Sequence, residues 1–429
     1  MTGPPPTLWF DLTTSWHERG RQPNGTLRVE RSYARLAGEL LGPRLRFCRY
    51  DRTTGRFLPV SSDGAARLFA AAPSGGTHHR RGGALRQLGR HLERRFRRLW
   101  RAALSPLLRL GTAGGAAPFA RGDILILVGE TWARHDLALL TSLKRQHGLR
   151  LAALCQDLVP IRCPQFFEGR AFVDRIAAYV DFLIAEVELL VAISENTRQD
   201  LLWYAAPRGG IRGRLVVVIL GADLPTPAPA VRPPRLAGLE PGRFALAVST
   251  IQPRKNFALL YRLWRRLRED EVAGLPLLVI VGARGQGSEA LLGEIGADPL
   301  TRPVIRILDD AGDDELAWLY ANCCWTLYPS FYEGWGLPLS ESLMYGKLCL
   351  ASNAASLPEA GQGLARHLDP QDFDAWHRAI ADLLAAPEQL AAIEAGIRRD
   401  YRVTDWRGSA TALAAAIEAL AAAAPSPPP

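Results

Sequence analysis

The chain has 429 residues, of which 48% are hydrophobic and 22% charged, with a formal net charge of +9. That length accommodates two or three soluble domains, and the composition excludes a low-complexity or disordered chain. No apolar run approaches the roughly 18–20 residues of a membrane-spanning helix, the opening Met1-Thr2-Gly3-Pro4-Pro5-Pro6 lacks the basic and apolar regions of a signal peptide, and the six cysteines show no Cys-x-x-Cys or metal-ligand spacing, so free thiols in a reducing cytoplasm are expected.

Residues 7–12 predict a first β-strand, followed by a loop to Gly25 and a helix whose apolar positions are Leu27, Val29, Tyr33, Leu36 and Leu40. Residues 45–50 predict a second strand; residues 52–77 are rich in turn formers and predict no element. Between His78 and Arg101 nine arginines and one acid, Glu93, give a local charge of +8, nearly the whole excess. Within residues 78–110, Leu85, Leu88, Leu92, Phe96, Leu99 and Trp100 recur at helical spacing among the arginines. A basic amphipathic insertion of this kind suits an anionic membrane surface, with residues 78–101 as the contact, or else packs its apolar side on the domain. The charge would also suit nucleic acid, but no nucleic-acid-binding motif accompanies it, so that partner is not expected.

Residues 123–128 form an almost continuous apolar run, the pattern of a buried parallel strand. Ligands bind beyond the carboxyl ends of such strands, so Glu130 and Trp132 are candidate ligand contacts. A helix over 137–146 and a strand over 149–154 lead to Gln156-Asp157, where Asp157 either faces a ligand or shapes the turn. After a helix over 172–185 and a strand over 189–194, Ser194 is placed to cap the helix 196–204, with substrate contact a second role. A last strand over 215–220 closes the N-terminal half, residues 1–223. Five prolines in the eleven residues 224–234 make a stiff connection that no sheet interior would accept, and the linker is placed at 224–235.

The C-terminal domain, residues 236–405, opens with a strand over 244–249. The turn after it carries Arg254 and Lys255 above a helix N-terminus, an arrangement suited to a diphosphate both as ligand and as leaving group. Strands over 277–282 and 304–308 and a helix from Asp313 follow. Residues 325–328 predict a strand that runs into Pro329-Ser330-Phe331-Tyr332-Glu333-Gly334-Trp335-Gly336-Leu337-Pro338-Leu339-Ser340-Glu341. Its glycines let backbone amides approach a ligand, and Pro338 suits the first turn of a helix. Strand, glycine loop and helix N-terminus make an anion site, here flanked by Glu333 and Glu341. A strand over 348–352, a turn at Ser356-Leu357-Pro358-Glu359, and helices over 372–385, 387–401 and 406–424 complete the chain, with a disordered tail at 425–429.

Glu-x7-Glu in this setting, with Ser249-Thr250-Ile251-Gln252-Pro253-Arg254-Lys255-Asn256 upstream and Cys349 to Glu359 downstream, resembles the donor site of retaining glycosyltransferases of family 4 (glycosyl transferases group 1), bacterial mannosyltransferases included. The resemblance covers roughly residues 243–420 and implies an α/β chain of two Rossmann-like doubly wound domains (GT-B) facing a central cleft. The N-terminal domain would bind the acceptor, and the last helix, within 406–429, would cross back onto it. It implies transfer of a hexose, mannose in the closest pattern, from a nucleotide-diphosphate sugar to a glycan or lipid-linked acceptor in bacterial polysaccharide or lipopolysaccharide synthesis. The alternative is a non-catalytic nucleotide-sugar-binding subunit of a glycan-assembly complex, against which the intact Arg254-Lys255 pair and both glutamates argue.

By the same resemblance, Arg254 and Lys255 hold the diphosphate. Glu333 takes hydrogen bonds from the donor sugar, the amides of Gly334, Trp335, Gly336 and Leu337 hold sugar and phosphate, and Glu341 binds the ribose hydroxyls. Asp157 positions sugar or acceptor; the residue before it is Gln156 where many relatives have histidine, which puts one sugar contact in doubt. Gly25 and Arg28 match loosely the family's loop at the cleft mouth. No metal and no cofactor are expected, GDP-mannose being the expected donor substrate: there is no Asp-x-Asp in the N-terminal half and no histidine cluster. The expected location is cytoplasmic or peripheral on the inner face of the cytoplasmic membrane.

Overall fold

The structure is a computed structural model that describes residues 5–19, 25–69, 117–224 and 228–423. The basic insertion expected at 78–110 and the tail at 425–429 lie outside the described residues. Two sheets organise the chain. The first has the order β3-β2-β1-β4-β5-β6-β7, built from Leu8–Asp11 (β1), Leu45–Asp51 (β2), Arg56–Val60 (β3), Ile124–Leu127 (β4), Arg150–Cys155 (β5), Leu189–Ala192 (β6) and Arg214–Val217 (β7). All neighbours are parallel except β2 and β3.

The second sheet is parallel throughout, with the order β10-β9-β8-β11-β12-β13. Its strands are Phe244–Val248 (β8), Leu277–Val281 (β9), Ile305–Leu308 (β10), Thr326–Tyr328 (β11), Cys349–Ser352 (β12) and Arg366–Leu368 (β13). The central strands β1, β4, β5, β6, β11 and β12 are buried along their whole length. This is what their unbroken apolar sequences require when helices cover both faces of a sheet. Each sheet reverses its strand order once, between β1 and β4 in the first and between β8 and β11 in the second. A reversal opens a crevice beyond the carboxyl ends of the two strands.

Three short elements, each of eight residues or fewer, stand where the sequence predicts turns or loops. β3 is a short antiparallel edge strand containing Pro59, and the helix Ser62–Phe69 follows it, within residues that predicted no element. A short helix Thr13–His17 replaces the expected loop, because Asp11 accepts the Thr13 hydroxyl and the Glu30 carboxylate accepts the Ser15 amide at 2.6 Å.

The C-terminal helix Trp406–Ala422 lies against the helix Gly25–Leu40 of the first domain. Trp406 meets Tyr33 edge to face at 5.8 Å, and the Tyr33 hydroxyl is 2.8 Å from Ser409 Oγ. Asp405 caps this helix through the Gly408 amide. Its apolar side, Ala410, Leu413, Ala414 and Ile417, joins the same buried cluster as Phe10, Val29 and Leu41.

Candidate active site

At the crevice of the second sheet the chain leaves β8 into the turn Pro253–Lys255 and leaves β11 into the glycine loop. Adjacent strands therefore deliver Arg254, Lys255 and Glu333 to one place. Asn256, at φ +58°, locks the turn by donating to the carbonyls of Pro329 and Pro370 at 3.2 and 2.9 Å. Phe331 N–H donates to Arg254 O at 3.0 Å. Glu333 then lies between two cations, Arg254 Nη1 at 3.1 Å and Lys255 Nζ at 2.5 Å. Arg254 also donates to the Tyr332 carbonyl, and Lys255 Nζ is 3.2 Å from the Tyr328 hydroxyl.

Burial acts to raise the Glu333 carboxyl, but Arg254 and Lys255 outweigh it and hold the group down at about 2. Burial pushes the Lys255 ammonium down, with Glu333 opposing. The site thus holds an ionised carboxylate and two cations out of water, where each interaction is stronger than at a surface. The opposite wall comes from the first domain. Asp157 follows β5, its Oδ1 accepting the Val159 amide at 3.0 Å. Burial raises its pKa, and Arg254 is the strongest opposing influence. The two domains therefore place Asp157 within the field of the Arg254–Lys255–Glu333 cluster.

Gly334 is the point of closest approach. A Cβ there would lie 2.2 Å from the Gln156 carbonyl oxygen. Ser194 accepts the Thr197 amide at 2.9 Å as a helix cap and also donates to Gly334 O at 2.7 Å, so capping and the cleft contact belong to one hydroxyl. The Ser356 hydroxyl lies 2.9 Å from Glu333 O and 2.7 Å from Trp335 O, which turns these carbonyls away from the cleft. Among the described residues nothing accepts from the amides of Gly334, Trp335, Gly336 and Leu337. Gly336, at φ +121°, is the N-cap of the helix Leu337–Met344, and Pro338 stands in its first turn. The Trp335 indole is buried in the domain core.

Glu341 is 2% exposed, about one turn into that helix. One oxygen accepts from Tyr320 Oη at 2.7 Å, and the other pairs with Arg28 of the first domain, which also reaches Asp313 at 3.7 Å. Gly25 opens the Arg28-bearing helix and is exposed; next to it, Thr26 Oγ1 donates to Gln156 Oε1 at 2.8 Å. Glu130 is not part of the central cluster: its carboxylate pairs at 3.0 Å with Arg134, which binds Glu18 at 2.6 Å.

Residues that sequence reasoning passed over include Tyr320, Tyr328, Asp200 and Glu30. Asp200 accepts from the Tyr332 hydroxyl across the cleft at 2.6 Å. Glu30 carried a readable signal, a lone carboxylate on the Leu27–Tyr33 face of its helix. It is fully buried, and burial together with Asp11 raises it to about 8. Glu359 stands in the turn Ser356-Leu357-Pro358-Glu359, whose sequence alone assigns it no partner. Its carboxylate accepts the Glu195 amide at 2.9 and 3.0 Å, so a side chain of one domain caps a helix of the other. Among the described residues no three His, Cys, Asp or Glu side chains gather to hold a metal ion, and no helix is long and apolar enough to cross a membrane.

Two α/β domains whose crevices face each other across buried cations and carboxylates define a two-domain architecture of the GT-B kind. Residues 236–400 match the family described as glycosyl transferases group 1. The chain is similar to the O-antigen chain mannosyltransferase B of Escherichia coli, 33% identical over 39% of each chain. It is also similar to the D-inositol 3-phosphate glycosyltransferase of Thermobispora bispora, 30% identical over 63% of this chain and 65% of the relative. The chain thus spans less than two-thirds of the length of these relatives. Its fold is shared with the sucrose-phosphate synthase of Thermosynechococcus elongatus, with a TM-score of 0.63 at 15% identity over 97% of this chain and 99% of that one.

Proposed function

We propose that the protein is a retaining glycosyltransferase that moves a hexose from a nucleotide-diphosphate sugar to a hydroxyl of a glycan or lipid-linked acceptor. The observation that carries this reading is the buried Arg254–Lys255–Glu333 cluster beside the free amides of Gly334 to Leu337. A diphosphate placed over those amides and the helix start would meet two cations that stabilise the charge it gains on departure. Glu333, held ionised, accepts hydrogen bonds from sugar hydroxyls and fixes the ring. Glu341 accepts from the vicinal ribose hydroxyls, a match for one carboxylate. Asp157, from the opposite wall, orients the sugar or the attacking hydroxyl.

Attack on the face from which the diphosphate departs retains the anomeric configuration. It needs no protein nucleophile, because the departing phosphate oxygen takes the acceptor's proton. Mannose is the proposed hexose and GDP-mannose the donor, on the similarity to an O-antigen chain mannosyltransferase. Polysaccharide or lipopolysaccharide synthesis in the cytoplasm, at the inner face of the membrane, is the setting in which that transfer would serve. Neither cofactor nor metal enters the scheme.

The test is a thermal-shift screen against GDP, UDP, dTDP, ADP and their sugar conjugates without added metal, followed by transfer assays with NMR of the product anomer. A ligand selective for the folded state adds roughly 2.7 kcal/mol at a hundred times its Kd. A shift with one nucleotide that Glu341→Ala abolishes, and a product of unchanged anomeric configuration, are expected. Absence of any shift, or an inverted product, would sink the reading.

A further inference from the structure

A run of aromatic side chains leads away from the donor loop. Phe331, in that loop, stacks on Phe166 of the first domain at 5.2 Å and 17°. Phe167, the next residue, stacks on Phe172 at 5.4 Å and 22°. Phe172 meets Trp132 edge to face at 5.4 Å. All five rings keep part of their surface in solvent. Phe166 and Phe167 belong to the connection that starts at Asp157, and Trp132 follows the carboxyl end of β4 at the crevice of the first sheet. The rings thus form two stacks, Phe331–Phe166 and Phe167–Phe172–Trp132, that meet at the neighbouring residues Phe166 and Phe167 and begin beside the residues that would hold the sugar under transfer.

Trp132 and Phe172 pack one side on the core of the first domain and keep the rest in solvent, unlike Trp264 and Trp376, each 0% exposed. Next to the two central rings in sequence stand the solvent-exposed Pro164, Gln165 and Glu168, and the helix that carries Trp132 also carries the paired Glu130 and Arg134 at its ends. Rings with planar polar groups beside them are the chemistry that binds a pyranose. The ring's negative face accepts the slightly positive C–H groups of one sugar face, and amide, carboxylate and guanidinium groups take the hydroxyls at its edge.

We propose that Phe331, Phe166, Phe167, Phe172 and Trp132 form an acceptor platform on which successive sugar rings of a glycan chain lie, the terminal ring nearest Asp157. This rests on the glycosyltransferase reading above and names its acceptor class: an oligosaccharide recognised over several residues rather than a single sugar or a lipid tail. The platform supplies affinity, and the site around Glu333 supplies the reaction.

Saturation-transfer NMR and calorimetry on the full chain, with GDP present, would measure binding of linear manno-, gluco- and galacto-tetraoses, and of methyl and octyl α-mannoside. Phe172→Leu and Trp132→Leu keep apolar volume and remove the aromatic face; melting curves confirm their folding, and the GDP thermal shift reports the donor site. The expected result is tetraose binding that weakens at least fivefold in each variant while the GDP shift stays unchanged. Equal tetraose binding in wild type and variants overturns the platform, as does failure of every tetraose to bind. An advantage of octyl over methyl mannoside that disappears in the variants also overturns it, in favour of a lipid-tail groove. Loss of the nucleotide shifts with tetraose binding retained instead defeats the donor reading and leaves the platform standing.

Discussion

Arg28 of the first domain pairs with the buried carboxylate of Glu341 in the second, although 313 positions separate them. The bond spans the cleft and occupies one oxygen of the group proposed to hold ribose, while Tyr320 occupies the other. Removing one partner leaves the other charge buried without compensation, which costs about 3–5 kcal/mol in a fully enclosed pair. Arg28 keeps 20% of its side-chain surface exposed, so a smaller loss is expected here, about 1–3 kcal/mol after solvent screening. Arg28→Met should therefore lower Tm more than the double variant Arg28→Met/Glu341→Gln. Thermal melts of wild type and the two variants measure this, and equal loss in single and double variants would remove the coupling.

Arg254 touches both Glu333 and the Tyr332 carbonyl at the site. If it stabilises charge on the departing diphosphate, Arg254→Ala lowers kcat by roughly 10²–10³, the usual loss for one preorganised donor. Donor KM should change far less. Glu341→Ala should show the opposite division, with donor affinity weakened about tenfold or more, since hydrogen bonds to a charged group contribute about 1.5–3 kcal/mol. Initial rates over a donor series separate the two. Identical profiles for both variants would contradict these roles.

Glu30 makes the stability of the first domain depend on pH. Its carboxyl is raised from 4.5 to about 8 by burial and by Asp11. Between those values the folded state binds the proton and the unfolded state has released it, so stability falls as pH rises from about 4.5 to about 8. Glu30→Gln mimics the neutral form and can still receive the Ser15 amide. Its Tm should decline less than that of wild type between pH 5 and pH 8, and exceed it at pH 8. Parallel Tm-versus-pH curves would show that Glu30 is not the titrating group.

The parallel strands were readable because burial on both faces demands apolar runs such as residues 123–128 and 277–282. The loop after β11 was readable because two glycines and a proline in fixed order mark a strand-to-helix turn. β13, with the sequence Arg366-His367-Leu368, was not readable, since its place at a sheet edge depends on β12 rather than on its own pattern. The partners of Glu341 and Glu359 were equally hidden. Both glutamates stand in quoted motifs, but the groups they bind come from the other domain, and local spacing carries no information about how two domains meet. Glu30 lies between these cases: its position on an apolar face announces burial, while the identity of its partners, Ser15 and Asp11, depends on the turn after β1.

Gly334 gives the most direct test of the closed arrangement. Its Cα faces the backbone of Gln156, and an added methyl would stand 2.2 Å from that carbonyl oxygen and 2.8 Å from Asp157 Cβ. Backbone on the far wall cannot swing aside as a flexible side chain does, so Gly334→Ala must separate the walls locally. The Ser194–Gly334 hydrogen bond would be lost with it. Both domain cores lie away from this contact, so Tm should change little. Transfer should fall by about 10² or more, because near-attack geometry tolerates little displacement: an error of about 1 Å can cost on that order. Small-angle scattering should show a larger radius of gyration in Gly334→Ala with nucleotide bound than in wild type. Wild-type rates together with wild-type dimensions would mean that the two walls need not approach this closely during the reaction.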